Sequence, residues 1–310
     1  MKKVLRTLSI AAIMAASGAS LASCGVTAAV YEAGTPVKIG LICIHNEKST
    51  YDANFINGLN EAVANLGDRV AGGAALIKTD VLETKAAFDA AKDLVKQGCN
   101  FVFADSFGHE EFIMEAAEKW PSVTFCHATG THAGTAGLEN FHNGFASIYE
   151  GRYLAGVAAG VKLQEDIASG KIAESKKVDG NWKLGYVGAF PYAEVISGYT
   201  SWYLGVKSIV DNVVMDVKFT DSWYDISREA AAAQALIDGG AVLISQHADS
   251  MGAPGTCEDK GVLNVSYNIS TEKDCPTTYV AHSRINWAPY YEAVVNAMYE
   301  GKSFDERQNY

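Results

Sequence analysis

The sequence predicts an α/β protein built as two doubly wound parallel-sheet lobes joined by a hinge. Three observations carry this. Short continuous apolar runs alternate with amphipathic helical patterns, the alternation occurs twice, and a chain of 310 residues can bury two cores without staples. In the first half, strands are expected at 37–44, 74–79, 100–104 and 123–128, with helices at 51–66, 82–97 and 110–119 between them. Helix 51–66 places Phe55, Leu59, Ala62, Val63 and Leu66 on one face. Runs that are apolar throughout are the mark of parallel strands covered on both faces.

A long helix is expected at 149–163, where Gly151, Ala155, Gly156, Ala159 and Gly160 allow close helix packing. The polar stretch 164–182 reads as a helical hairpin or surface insertion. The alternation then resumes with strands at 184–189, 214–219, 242–246, 262–267 and 278–282 and helices at 193–209, 227–238, 253–260 and 288–299. The resulting division is 37–148 for the first lobe, 149–284 for the second and 285–310 for a return to the first. Polar sequence up to Tyr310, with no finishing strand, gives the expectation of a truncated C-terminus.

Lys2, Lys3 and Arg6 precede an apolar run, Leu8 to Ala16, that ends in Leu21-Ala22-Ser23-Cys24-Gly25. A basic start, a run too short to span a bilayer and small residues before a cut describe an export signal. Cys at the cut resembles the bacterial lipobox. The expectation is a lipoprotein signal peptide over 1–24, lipidation of Cys24, a tether over 25–36, and a protein held on the extracytoplasmic face of the cell membrane by its lipid.

The chain has 25 basic and 36 acidic residues, a net charge of −11, and loss of Lys2, Lys3 and Arg6 with the signal makes this −14. Nucleic acid is excluded as a partner, because phosphate binding draws on clustered Lys and Arg. Cys43, Cys99 and Cys126 lie in or beside apolar strands without CxxC spacing, so they read as buried small hydrophobes. Cys257 and Cys275 flank a loop-rich segment, where an exported protein can form a disulfide.

Ligands of open parallel sheets sit beyond the carboxyl ends of the strands. Those positions here include His45 to Phe55, Asp105-Ser106-Phe107-Gly108 and His127-Ala128-Thr129-Gly130. In the second half they are Phe190 to Glu194, Ser222-Trp223-Tyr224-Asp225, His247-Ala248-Asp249-Ser250, Asn268 and Asn286-Trp287. Aromatic faces beside carboxylates and amides suit a planar polar solute. A strand-end Asp is also a common helix N-cap and a strand-end aromatic a common core residue, so it is recurrence in both halves that marks a site.

Phe103-Ala104-Asp105-Ser106-Phe107-Gly108, Phe125-Cys126-His127-Ala128-Thr129-Gly130, Ile148-Tyr149-Glu150-Gly151-Arg152-Tyr153-Leu154-Ala155-Gly156 and Gln246-His247-Ala248-Asp249-Ser250 resemble the basic membrane protein family of ABC-transporter substrate-binding lipoproteins. The resemblance runs from Val37 to Tyr299. It implies a type I periplasmic-binding-protein fold, lobes that close on a purine base or purine nucleoside, permease and ATPase partners, and a monomer without a cofactor. It further implies a ligand site at Asp52, Asn54, Phe55, Asn268 and Trp287, with Phe55 stacked on the base, to which the strand-end positions add Tyr51, Asp105, Ser106, Phe190, Trp223 and Asp249. Asn268 stands where nucleoside-binding members carry a ribose-holding Asp, and Asn286 or Trp287 where they carry a Lys. These departures resemble the members with Trp-rich sites and imply a free base such as adenine. A sugar receptor of the same fold is the alternative. No HExxH, GxSxG, P-loop or dinucleotide fingerprint is present, and His45, His127 and His247, each following a strand, fit a binding cleft as well as an enzyme or metal site.

Overall fold

The computed structural model describes residues 31–304, so the signal peptide, Cys24 and the expectation about the C-terminus lie outside the described residues. The first lobe runs β1 (Ile39–Ile42), α1 (Thr50–Leu66), β2 (Leu76–Lys78), α2 (Lys85–Lys96), β3 (Phe101–Ala104), α3 (Glu110–Lys119), β4 (Thr124–Ala128), α4 (Ala133–Ala136) and β5 (Phe141–Gly144). Its strands pair in parallel in the order β2-β1-β3-β4-β5. Strand β5 and the short α4 were not foreseen. Phe141-His142-Asn143-Gly144 lacks an apolar run, but the strand is nonetheless held by pairing with β4.

The second lobe runs α5 (Ile148–Ala168), β6 (Trp182–Gly188), α6 (Ala193–Lys207), β7 (Val213–Phe219), α7 (Ile226–Asp238), β8 (Ala241–His247), α8 (Gly252–Lys260), β9 (Leu263–Tyr267) and β10 (Tyr279–Ser283). Its order is β10-β9-β8-β6-β7, again parallel. The segment expected as a helical hairpin or surface insertion is no hairpin: it holds the last turn of α5, a 3₁₀ turn at Glu174–Lys176 and an isolated antiparallel bridge between Val178 and Asn181. α9 (Ala288–Tyr299) crosses back and packs on α1, so the chain passes between the lobes at 144–148 and 283–288.

Small residues let α5 and α6 approach to backbone contact. A Cβ on Gly156 would lie 2.2 Å from the Trp202 carbonyl oxygen, and one on Gly205 would lie 2.2 Å from that of Tyr153. Four residues before Gly156, the fully buried Arg152 ties the helix to the ligand-facing ends of four strands. Its Nη2 donates to Tyr186 Oη (3.0 Å), Ser245 Oγ (2.6 Å) and the Gln246 carbonyl (3.3 Å), and its Nη1 to the Ser266 carbonyl (3.4 Å) and Ser283 Oγ (3.5 Å). These bonds fasten α5 to the second sheet. Cys43, Cys99, Cys126, Cys257 and Cys275 are all buried, and the disulfide considered for the last two is not formed.

Candidate functional site

Each sheet has one point where strand order reverses, β1/β3 in the first lobe and β6/β8 in the second. A crevice opens at such a point because the flanking crossover connections run to opposite sides. The two crevices face each other. Between them lies a cavity lined by Ile44, Tyr51, Ser106, Phe107 and Thr129 from the first lobe and Glu194, Trp223, His247, Asp249 and Tyr267 from the second. The lobes are closed on it. Thr50 N donates to the Asp249 carbonyl (2.9 Å), His45 lies 5.2 Å from the Tyr224 ring, and Phe107 lies 5.7 Å from Tyr192 at the mouth.

Of the residues expected from sequence, Tyr51, Ser106, Trp223 and Asp249 line this cavity. Phe190 stands behind Trp223, edge-on at 5.1 Å, and stacks on Tyr192. Phe55 and Trp287 are buried and stacked on each other, with centroids 4.5 Å apart and planes 25° apart. Tyr51 lies edge-on to Phe55 at 4.9 Å and presents its own ring to the cavity in its place. The Asn54 amide donates to the Ile285 carbonyl (3.0 Å) and so fastens α1 to the returning chain. Asn268 is fully buried with φ +66°, a left-handed conformation that Asn tolerates, and neither atom of its amide has a hydrogen-bond partner among the described residues.

Asp52 and Asp105 lie beneath the first-lobe wall. Asp52 accepts from His45 N (2.8 Å) and Ser49 Oγ (2.5 Å), and Asp105 accepts from Ile44 N (3.1 Å). Burial opposes ionisation of Asp52, but hydrogen bonds from His45 and Ser49 hold its carboxyl below the usual range. Burial, and then the Asp52 charge, push Asp105 well above it. Cys43, Asp52 and Asp105 bring one donor atom each within 4.8 Å of one another, the grouping most like a metal site. Burial also pushes the Cys43 thiol well up, so the cluster is one carboxylate among neutral groups, already supplied with protein hydrogen bonds.

The second-lobe wall is acidic. Burial raises Glu194 to about 7, and burial followed by the charges of Asp52, Glu229 and Glu194 raises Asp249 well above the carboxylate range. His247 Nε2 lies 4.0 Å from Glu194 Oε1, and burial with the nearby Arg152 charge pushes this imidazole down to about 3, so it is neutral. Phe107, Thr129, Glu194 and His247 fell within the strand-end stretches read from sequence but were not chosen as contacts, and Ile44 and Tyr267 were not chosen either. All lie within a few residues of a strand's end, which was the available signal.

Two closed α/β lobes with a polar, aromatic cavity at facing switch points define a solute-binding protein. The chain belongs to the ABC transporter substrate-binding protein PnrA-like family, whose model matches residues 41–309. It is 33% identical over 241 residues to a purine-binding protein of Brucella abortus, covering 78% of this chain and 62% of that one. To a putative ABC transporter glucose-binding protein of Haloferax volcanii it is 29% identical over 228 residues, covering 73% and 53%. The chain thus spans less than two thirds of the length of either relative. An ABC transporter solute-binding protein from Conexibacter woesei superposes with a TM-score of 0.61 at 21% identity, covering 87% of this chain and 84% of that one, which establishes the periplasmic-binding-protein fold.

Proposed function

We propose that the chain is the solute-capturing subunit of an ABC importer and closes its lobes on a purine base or purine nucleoside. It works as a monomer, held on the extracytoplasmic face of the membrane by lipid on Cys24, and hands its ligand to a permease driven by an ATPase. It catalyses no reaction. The observation that carries this reading is the closed cavity itself. The rings of Tyr51, Phe107, Trp223 and Tyr267 line it together with the polar groups of Ser106, Thr129, Glu194, His247 and Asp249. Flat apolar faces with a few fixed polar groups match a heteroaromatic ring. The purine-binding relative in Brucella abortus supports the same reading. Among the described residues no helix is long and apolar enough to cross a membrane; the attachment rests on the lipobox-like Leu21-Ala22-Ser23-Cys24.

Stacking on the ligand is assigned to Tyr51 and Trp223, with Ser106 and Asp249 as polar contacts. Asp52, Asn54, Phe55, Asp105, Phe190, Asn268 and Trp287 act from behind by fixing the wall and the returning chain. A sugar is the second reading, because Glu194 and Asp249 would also accept from ring hydroxyls and one relative is named for glucose. Calorimetric titration with adenine, inosine, ribose and glucose separates the two. Binding of either purine with no heat from the sugars is expected. Sugar binding without purine binding would replace the proposal.

A further inference from the structure

The cavity's hydrogen-bond inventory points to a narrower class of ligand, an inference that rests on the purine reading above. Three hydroxyl groups in the wall already donate to the protein. Tyr51 Oη donates to the Asp105 carbonyl (2.7 Å), Ser106 Oγ to Glu83 Oε1 (2.6 Å) and Thr129 Oγ1 to the Ala128 carbonyl (2.7 Å). Each hydroxyl has a single proton, so toward the cavity these three offer lone pairs only. Neither Lys nor Arg is in the lining. Buried Arg152 is not in the lining, and its Nη1 and Nη2 are committed to Tyr186, Ser245, Gln246, Ser266 and Ser283. What remains is two carboxyls, Glu194 and Asp249, with few donors beside them: the Trp223 indole, the neutral His247 ring and the Tyr267 hydroxyl, which has no partner among the described residues.

We infer that Glu194 and Asp249 are specificity-determining groups that select a purine bearing an exocyclic amino group over its oxo counterpart. A carboxylate accepts hydrogen bonds and cannot donate them. An amino group turned toward it is satisfied, whereas a ring carbonyl in the same place sets acceptor against acceptor between the closed lobes and leaves both unpaired. The wall equally disfavours a phosphorylated ligand, for which it holds no cation. Burial raises Glu194 to about 7 and Asp249 well above the carboxylate range, and N–H donors from a ligand stabilise the ionised, acceptor-only form of each and draw both back down. The indole, imidazole and Tyr267 donors remain for ring nitrogens.

The test uses two pairs of bases that differ by one amino-to-oxo exchange: adenine with hypoxanthine, and guanine with xanthine. Affinities are measured by calorimetry at pH 8 for the wild type, Glu194→Gln and Asp249→Asn. The Gln and Asn variants keep the side-chain shape but add an amide donor that can meet a ring carbonyl. In the wild type the amino member should bind at least tenfold tighter in one pair or both, and at least one variant should shrink that ratio at least tenfold. Circular dichroism confirms that each variant is folded. Purine binding with ratios near one, or ratios unchanged in both variants, would overturn the inference and leave the purine receptor standing. If no purine base or nucleoside binds, the receptor reading falls and the inference with it.

Discussion

Replacing Arg152 by Met tests how the hinge helix is joined to the second lobe. The guanidinium makes two well-formed bonds, to Ser245 Oγ at 2.6 Å and Tyr186 Oη at 3.0 Å, and three longer ones between 3.3 and 3.5 Å. Hydrogen bonds to a charged group contribute about 1.5–3 kcal/mol each, so the two short ones amount to about 3–6 kcal/mol. No carboxylate lies within ion-pair distance of Arg152 among the described residues, and relief of its desolvation returns part of this. Ser245 keeps a partner, because its hydroxyl also donates to the Val265 carbonyl at 2.7 Å, while the Tyr186 hydroxyl loses the acceptor role it has here. The net cost is on the order of 3 kcal/mol, or about 6–12 °C in Tm at about 2–4 °C per kcal/mol. Urea unfolding followed by fluorescence reads it, since Trp182, Trp202 and Trp223 all lie in the second lobe. A loss below about 1 kcal/mol would refute the view that these bonds hold the strand ends to the helix.

Gly156→Ala should separate α5 from α6 and cost about 1–3 kcal/mol by overpacking, since the added methyl meets backbone at 2.2 Å; thermal unfolding checks it. Trp223→Ala should weaken purine binding by about 1–3 kcal/mol with little change in Tm. Phe55→Ala should do the reverse, costing about 3–5 kcal/mol of stability because its ring fills the first-lobe core against Trp287. Calorimetry and thermal melts on the two variants separate these outcomes. Glu229, which accepts from Ser250 N and Asp225 N, is raised to about 7 chiefly by burial, so the folded protein holds a proton that the unfolded chain releases near 4.5. Its contribution is complete below about 4.5 and is lost as pH rises through 7, a change of up to about 3 kcal/mol. Glu229→Gln should therefore gain stability relative to wild type between pH 5 and pH 8, and a difference that stays flat with pH would contradict the assignment.

The fold was legible where apolar periodicity was strong. α3 and α9 occupy the expected residues, and most strands fall within one to three positions of their expected ends. β5 was not legible because Phe141 is its one large apolar residue and pairing with the neighbouring strand holds it extended. For the site, the strand-end rule located the cleft but not the direction of each side chain. Tyr51 and Phe55 are one helical turn apart, and only packing against Trp287 determines that the first faces the cavity and the second the core. Glu194 fell within the strand-end stretch Phe190 to Glu194 but was not chosen from it as a contact. It lies just inside α6, where an acid is an ordinary first-turn residue, and its place at the β6/β8 crevice emerges only from strand order.

The capture of a purine is tested most directly by native mass spectrometry of the protein purified without refolding, since a closed cleft retains a tightly held ligand. A folded protein carrying the added mass of a purine base or purine nucleoside, lost on unfolding and regained when that compound is added back, is the predicted result. An added mass matching a hexose, with no purine retained and none taken up on addition, would contradict the account.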